Sequence, residues 1–328
     1  HYEYVSTNHE VTSDIIESQL KAIVEITKNY SIDCIIHGGD LIHGSNKGKT
    51  VPFEVFKKVV SYLSEVKCPV FFVRGNHDDN MYYSERPDTS KPYNDFIPVS
   101  NLITDDEWLG RLQKPLCRRG MVHDSQKNNS TYYYYDFEDK KVRLIILNAY
   151  DYPIIDKGDG YAQWVSESWN KFSDRQQQWL VEEALTIKED WKYIIAVHGI
   201  LVDGTGDAKI TNADKIVNIF ETLNLKTTYI DETLSINKNF SDYKSKIKCV
   251  IYGHTHADIY SRKNGIDYIC TGSSKISTHN APSHTIEYYD IPSRKKGDIT
   301  EALFDLYSIK DTSINRIRFG AGKDQVIK

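Results

Sequence analysis

Five short stretches rich in metal-ligand side chains lie along the chain, the last four following apolar runs: His1, Gly39-Asp40, Gly75-Asn76-His77-Asp78, His198 and Gly253-His254-Thr255-His256. Carboxylate, amide and imidazole donors gathered at the ends of neighbouring strands can hold two divalent cations close together, an arrangement that clamps the attacking and leaving oxygens at phosphorus. The leading expectation is therefore a two-metal hydrolase of phosphate esters.

Each stretch has a physical reading of its own. Val250-Ile251-Tyr252-Gly253 leads into the histidine pair as a strand, and residues two apart lie on one side of an extended chain, so His254 and His256 are expected to point the same way. Gly253 permits close backbone approach. Asp40 follows Ile35-Ile36-His37-Gly38-Gly39, where a carboxylate can bridge two cations, although an aspartate there could equally cap a helix. Asn76 offers a neutral carbonyl ligand. His77 beside it can reach substrate without binding metal, and Asp78 could orient His77 by accepting its other N–H. His198 ends Ile194-Ile195-Ala196-Val197; alone it would more often be a satisfied core histidine. His37 and His43 flank Asp40 and read chiefly as structural, while His279 and His284 follow Thr271-Gly272-Ser273-Ser274 and could line a pocket rim. What raises these readings together is placement after strands, where open α/β sheets put their crevice.

The elements that must position these residues alternate in the order of crossover units, which predicts an α/β fold with a largely parallel sheet. From Ser13 to Asn29, the residues Ile16, Leu20, Ile23 and Thr27 share one face of a helix. A second helix from about Pro52 to Val66 presents Val55, Phe56, Val59, Val60, Leu63 and Val66, with Pro52 in its first turn. A third follows Ser173, which with Gln176 forms a possible capping box. Strands are expected at Asp33 to Ile36, Pro69 to Val73, Arg143 to Leu147, Tyr193 to Val197, Lys248 to Tyr252 and Asp267 to Cys270.

The segment from about Asn80 to Tyr135 breaks this rhythm and is expected to be an excursion over the active face. Within it, the four consecutive tyrosines Tyr132 to Tyr135 read as core and rim packing on alternating faces of a strand rather than as a stacking surface. Ala302 to Ile309 and Ile314 to Phe319 predict a C-terminal β-hairpin. The expected division is a main domain over 1–292, carrying an insertion at about 80–135, and a hairpin and tail over 293–328.

Composition narrows the function classes. With 328 residues and 40% apolar content a large core can be buried. There is no run of about 18 apolar residues and no signal-peptide pattern at the start, so a soluble, cytoplasmic chain without a membrane partner is expected. The five cysteines lack C-x-x-C spacing and read as buried thiols rather than disulfides. A formal charge of −5 disfavours polyanions, leaving Arg118-Arg119 and Arg294-Lys295-Lys296 as the compact basic patches a nucleic acid could use.

In their order, the motifs resemble the calcineurin-like metallophosphoesterase family, whose signature runs D-x-H, G-D, G-N-H-D or G-N-H-E, a lone H, then G-H-x-H. The resemblance spans His1 to about Pro292. It implies a layered α/β sandwich of mixed sheets flanked by helices, with metals at its top. Carried over residue by residue, it implies one metal on His1, Asp40 and His256, a second on Asp40, Asn76, His198 and His254, and His77 as the catalytic histidine. The Arg316-Ile317-Arg318-Phe319-Gly320-Ala321-Gly322 stretch also looks like the tail of phage and bacterial phosphoesterases. One block departs: the family places an aspartate two positions before the first histidine, which implies that the native sequence begins before His1, with a central strand ending in that aspartate.

The mechanism implied is attack at phosphorus by a metal-bound hydroxide, with His77 protonating the leaving alkoxide and manganese, iron or zinc all suiting the donors. A small nucleotide-like diester is the expected substrate. The alternatives are a nuclease, which needs a basic groove, and a non-catalytic scaffold, which has no need of His77.

Overall fold

The computed structural model describes residues 12–81, 90–117, 119–166, 168–202, 210–274, 288–295 and 297–328. His1, His279 and His284 lie outside the described residues.

Period-2 patterning builds the central layer. Among the described residues, eight strands form one mixed sheet: β3 (Met121–His123), β4 (Tyr133–Phe137), β5 (Val142–Ile146), β6 (Lys192–Val197), β9 (Lys246–Tyr252), β10 (Asp258–Lys263), β11 (Ile266–Cys270) and β12 (Tyr288–Asp290), in spatial order β12-β10-β11-β9-β6-β5-β4-β3. The inner strands β5, β6, β9 and β11 run parallel. Successive residues of β5 go to opposite faces: Ile145 joins a core with the helices of residues 174–184 and 213–225, while Leu144 and Ile146 face a second cluster with Phe71, Val73 and Tyr133. Burial on both faces explains the near-continuous apolar runs that marked these strands in the sequence.

Two further strands, β1 (Ile35–His37) and β2 (Val70–Phe72), pair in parallel as a separate two-stranded sheet whose residues contribute to that second cluster. Their outer side is covered by α1 (Thr12–Asn29) and α2 (Thr50–Leu63). In α2 the buried Pro52, Val55, Phe56, Val59 and Leu63 recur at helical spacing, as expected from the sequence. The result is the layered sandwich, a large mixed sheet flanked by helices.

Part of the segment expected as an irregular excursion is helical. Residues 105–116 form a continuous helix, passing through a wider π-turn at Leu109–Gln113, and bury Trp108, Leu109 and Leu112 against the α2 and β2 cluster. Thr104 caps its start reciprocally with Glu107. Ser173 likewise receives the Gln176 N–H, but the Gln176 side chain turns to the backbone of Asn148 instead of completing a capping box. The tyrosine run packs as expected: Tyr132 and Tyr133 are buried, and the Arg143 guanidinium lies 3.7 Å from the Tyr134 ring centre. All five cysteines are free, three of them buried.

At the C-terminus, β13 (Leu303–Ile309) and β14 (Ile314–Gly320) form the expected antiparallel hairpin, and β15 (Gln325–Ile327) adds a third strand. Ile314 and Ile327 pack on Cys249 and Ile269, so this small sheet lies against β9 and β11. Two remaining strands, β7 (Thr228–Asp231) and β8 (Ile236–Asn239), make a separate hairpin. No helix among the described residues is long and apolar enough to cross a membrane.

Candidate metal centre

Four strand ends deliver the site. β1 and β2 finish level with each other, His37 opposite Phe72, and their continuations lead to Asp40 and Asn76. β6 and β9 also finish level, Val197 opposite Tyr252, so His198 and the Gly253-His254 turn leave the main sheet together. Asp40, His198 and His254 thereby each bring one ligand atom within 4.8 Å of the others. Asn76 joins them, its Oδ1 lying 3.1 Å from His254 Nδ1. His256 stands outside that three-residue group.

The chemistry of these atoms fits a cation. His198 Nδ1 lies 2.7 Å from the Gly38 carbonyl, which can only accept, so Nδ1 carries the proton and Nε2 faces the cluster. There Nε2 is 3.1 Å from Asp40 Oδ2 and 3.3 Å from His254 Nδ1. A carboxylate oxygen, an amide carbonyl and two ring nitrogens converging at these distances need a proton or a metal ion among them. Without metal, the electrostatics favour the proton. Burial disfavours charge on His198, but the adjacent Asp40 outweighs it and raises the imidazole's proton affinity. Burial likewise opposes ionisation of Asp40, yet His198 and His77 hold its carboxyl well below the ordinary range.

Close packing makes two glycines necessary. A Cβ on Gly39, whose φ is +100°, would sit 2.4 Å from His198 Nδ1, and a Cβ on Gly75 would sit 2.2 Å from Asp40 Oδ1. Asp40 itself has φ 54°, and His254 and His256 have φ 75° and 58°. The histidine pair therefore lies in a left-handed turn beyond the end of β9. The extended-chain spacing that singled the two out does not describe their geometry.

Asp78 has a different setting from the one its sequence position suggested. Its carboxylate accepts the backbone N–H groups of Gly75 at 2.7 Å, Asp40 at 2.9 Å and Ile42 at 3.3 Å, tying the two ligand turns together. Burial, then the neighbouring Asp40 charge, pushes its carboxyl up to about 7. His77 instead directs Nδ1 to the His43 carbonyl at 2.7 Å, and its ring stacks on His43 with centres 5.4 Å apart. That bond places the proton of the neutral His77 ring on Nδ1. Burial lowers the His77 proton affinity. His37 is half-buried, and desolvation pushes it down to about 3; its Nδ1 accepts the Gly39 N–H at 3.2 Å. His37 thus shapes the Gly39-Asp40 turn, while His43 holds the His77 ring.

Three contributors carried no usable sequence signal. Ser166 Oγ donates to the Asn76 carbonyl at 2.5 Å, and its N–H meets Asp79 Oδ2 at 3.1 Å. Asn80, fully buried at φ 64°, binds the backbone of Asn46, Gly48 and Asn101. Ser166 thus braces the Gly75–Asp78 turn from a distant part of the chain, and Asn80 ties the residues that follow the turn to the 46–48 and 101 segments. The expected basic patches fare otherwise: Arg118 and Lys296 lie outside the described residues, and Arg294 spends its guanidinium on the carbonyls of Ser273, Ser274, Thr300 and Glu301.

A family model described as calcineurin-like phosphoesterase matches residues 11–258. No curated protein sequence matches the chain. Among solved structures, a dimetal phosphatase from Danio rerio superposes with a TM-score of 0.62 at 15% identity, covering 94% of this chain and 88% of that one. A Plasmodium protein described as the anchor in the inner membrane complex matches at a TM-score of 0.49 and 12% identity, over 99% of this chain and 87% of its own.

Proposed function

We propose, for a chain that belongs to the calcineurin-like phosphoesterase family and is a metal-dependent phosphoric ester hydrolase, that it cleaves small nucleotide-like phosphodiesters with His77 as proton donor. The observation that carries this reading is the convergence of Asp40, Asn76, His198 and His254, drawn from four strand ends, beside a histidine that is outside the cluster.

Asp40, Asn76, His198 and His254 would hold one metal, and His1, Asp40 and His256 a second, manganese, iron and zinc being equally suited. Cations held by these residues would lower the pKa of water and neutralise charge on the phosphoryl oxygens. The protein groups do the rest. Asp78 holds the Asp40 and Gly75 amides in register, so two ligands keep their spacing as substrate enters. His43 fixes the His77 tautomer with Nδ1 protonated, so proton transfer falls to Nε2. From there a protonated His77 can give its proton to the departing alkoxide or hold a phosphoryl oxygen. The net charge of −5 and the internal use of Arg294 favour a small ester over a polynucleotide.

The test is a panel assay on metal-stripped protein. Adding Mn²⁺ should restore hydrolysis of bis(p-nitrophenyl) phosphate and of nucleotide p-nitrophenyl diesters, more strongly than of p-nitrophenyl phosphate, while a single-stranded oligonucleotide is cut poorly. A preference for monoesters would overturn the diesterase assignment. Rapid oligonucleotide cleavage would favour the nuclease.

A further inference from the structure

The turn carrying His254 and His256 leads directly into Asp258, the first residue of β10, whose side chain is fully buried. Nothing in the hydrolytic reading uses Asp258. Its carboxylate accepts Arg318 Nη1 at 2.8 Å on Oδ2 and Nη2 at 2.7 Å on Oδ1, the paired geometry that fixes orientation as well as distance. Arg316 Nη1 approaches Oδ1 at 3.1 Å, and the Gly272 N–H donates to the same oxygen at 2.9 Å.

Both arginines belong to β14, in the C-terminal sheet. Arg318, its side chain 1% exposed, is held from the far side by Asp305 of β13 and by the Ala321 carbonyl at 2.7 Å. Arg316 also donates to the Lys323 carbonyl at 3.3 Å. Two cations and two carboxylates thus meet in one network that reaches the end of the metal-binding turn at Asp258. On the other side of the turn, Thr255 Oγ1 meets Cys270 Sγ of β11 at 3.1 Å.

The left-handed backbone of His254 and His256 makes such fixing necessary. Non-glycine residues rarely adopt that conformation, and it persists only where the surroundings over-determine it. The turn has no regular ladder of its own. It is held at its centre by Thr255 and at its exit by Asp258.

We propose that the C-terminal sheet is a clamp for the metal-binding turn: Arg318, with Arg316, acts through Asp258 to hold His254 and His256 in ligating position. These arginines are positioning residues, not catalytic ones. The inference rests on the metallophosphoesterase reading, and it assigns to the 303–327 sheet a role in metal affinity rather than only in covering β9 and β11.

The experiment compares wild type, Arg318→Gln, Arg318→Lys and a stability control, Leu223→Ala, on the full chain. Leu223 is buried on the helix Ala213–Leu225, which supplies no ligand. Mn²⁺ affinity of stripped protein is read by titration calorimetry, and Tm is read with chelator present. Supporting partners of metal ligands are worth about 10- to 100-fold in affinity, so Arg318→Gln should bind Mn²⁺ about that much more weakly. Arg318→Lys, which keeps the charge but loses the paired geometry, should fall between. Leu223→Ala should lower Tm without weakening Mn²⁺ binding.

If Arg318→Gln cannot be obtained folded, Arg318→Lys decides. Folded Arg318 variants with wild-type affinity would overturn the clamp whatever their Tm, as would an equal affinity loss in Leu223→Ala. Absence of Mn²⁺ binding by wild type would instead overturn the metal-centre reading on which the clamp rests.

Discussion

Replacing Gly75 by alanine adds a single methyl group where the structure leaves no room, and the consequence can be worked from distances. The new Cβ would lie 2.2 Å from Asp40 Oδ1 and 2.4 Å from Asp40 N. Ordinary carbon–oxygen contacts begin at about 3.3 Å, so one partner must move by about 1 Å. Gly75 is not in left-handed backbone, so the strain is steric alone. Asp40 cannot swing away freely, because its N–H is bound to Asp78 and its Oδ1 accepts the His77 N–H at 3.0 Å. The methyl must therefore part the two turns that carry Asp40 and Asn76. A displacement of about 1 Å in a reacting constellation costs about 10²-fold in rate, or about 2.7 kcal/mol of transition-state stabilisation. Overpacking costs a further ~1–3 kcal/mol of folding stability. The assay is kcat/KM for a p-nitrophenyl diester across Mn²⁺ concentrations, beside a urea melt of the stripped protein. Wild-type kcat/KM and an unchanged urea midpoint together would refute the claim that these turns are in obligatory contact.

His77→Ala should retain metal, measured as Mn²⁺ stoichiometry, yet lose about 10²- to 10⁴-fold in turnover of alkyl esters, with nitrophenyl esters largely spared; equal losses on both would point to charge stabilisation instead. Asp78→Asn should place an amide N–H against backbone donors that now meet a carboxylate, costing ~1–3 kcal/mol in chemical denaturation and loosening metal binding. Trp108→Ala should cost ~3–5 kcal/mol by urea unfolding, since the side chain is 1% exposed and meets Phe56 and Phe72 edge-on. Asp231 supplies the pH prediction: hydrogen bonds from Lys215 and Thr233 hold its carboxyl down to about 2 in the fold, from an ordinary 3.8. Stability from a depressed carboxyl is present above its unfolded pKa and is lost as pH falls through the folded one. The difference in urea midpoint between wild type and Asp231→Asn should thus hold steady from pH 7 to 5 and shrink below pH 4.

What the amino-acid order determined by itself is the inventory of donors and the periodicity that delivers them. Runs such as Ile194-Ile195-Ala196-Val197 can only be buried strands or buried helix, and the Gly and His residues that follow them mark ends where side chains reach a crevice. The 3.6-residue recurrence in α2 and the apolar alternation in the hairpin of β13 and β14 were legible for the same reason: local geometry imposes the period, so the pattern survives without knowledge of partners. Residues 105–116 escaped because Gly110 and Pro115 interrupt the pattern, while Trp108, Leu109 and Leu112 become a coherent face only against α2 and β2.

Contacts between distant segments decided the remainder. The left-handed turn at His254 and His256 is costly in isolation and acquires its reason from distant contacts, among them Cys270 and Asp258, which Arg318 reaches across 60 positions of sequence. Asp78 looked like a partner for the adjacent His77, but the amides that require a buried acceptor belong to Asp40 and Ile42, nearly 40 positions away. Ser166 supports Asn76 from 90 positions off. A sequence pattern records what a residue can donate or accept; which group stands opposite it is decided when separate strands end at one level and their turns are packed too closely to pair with anything else.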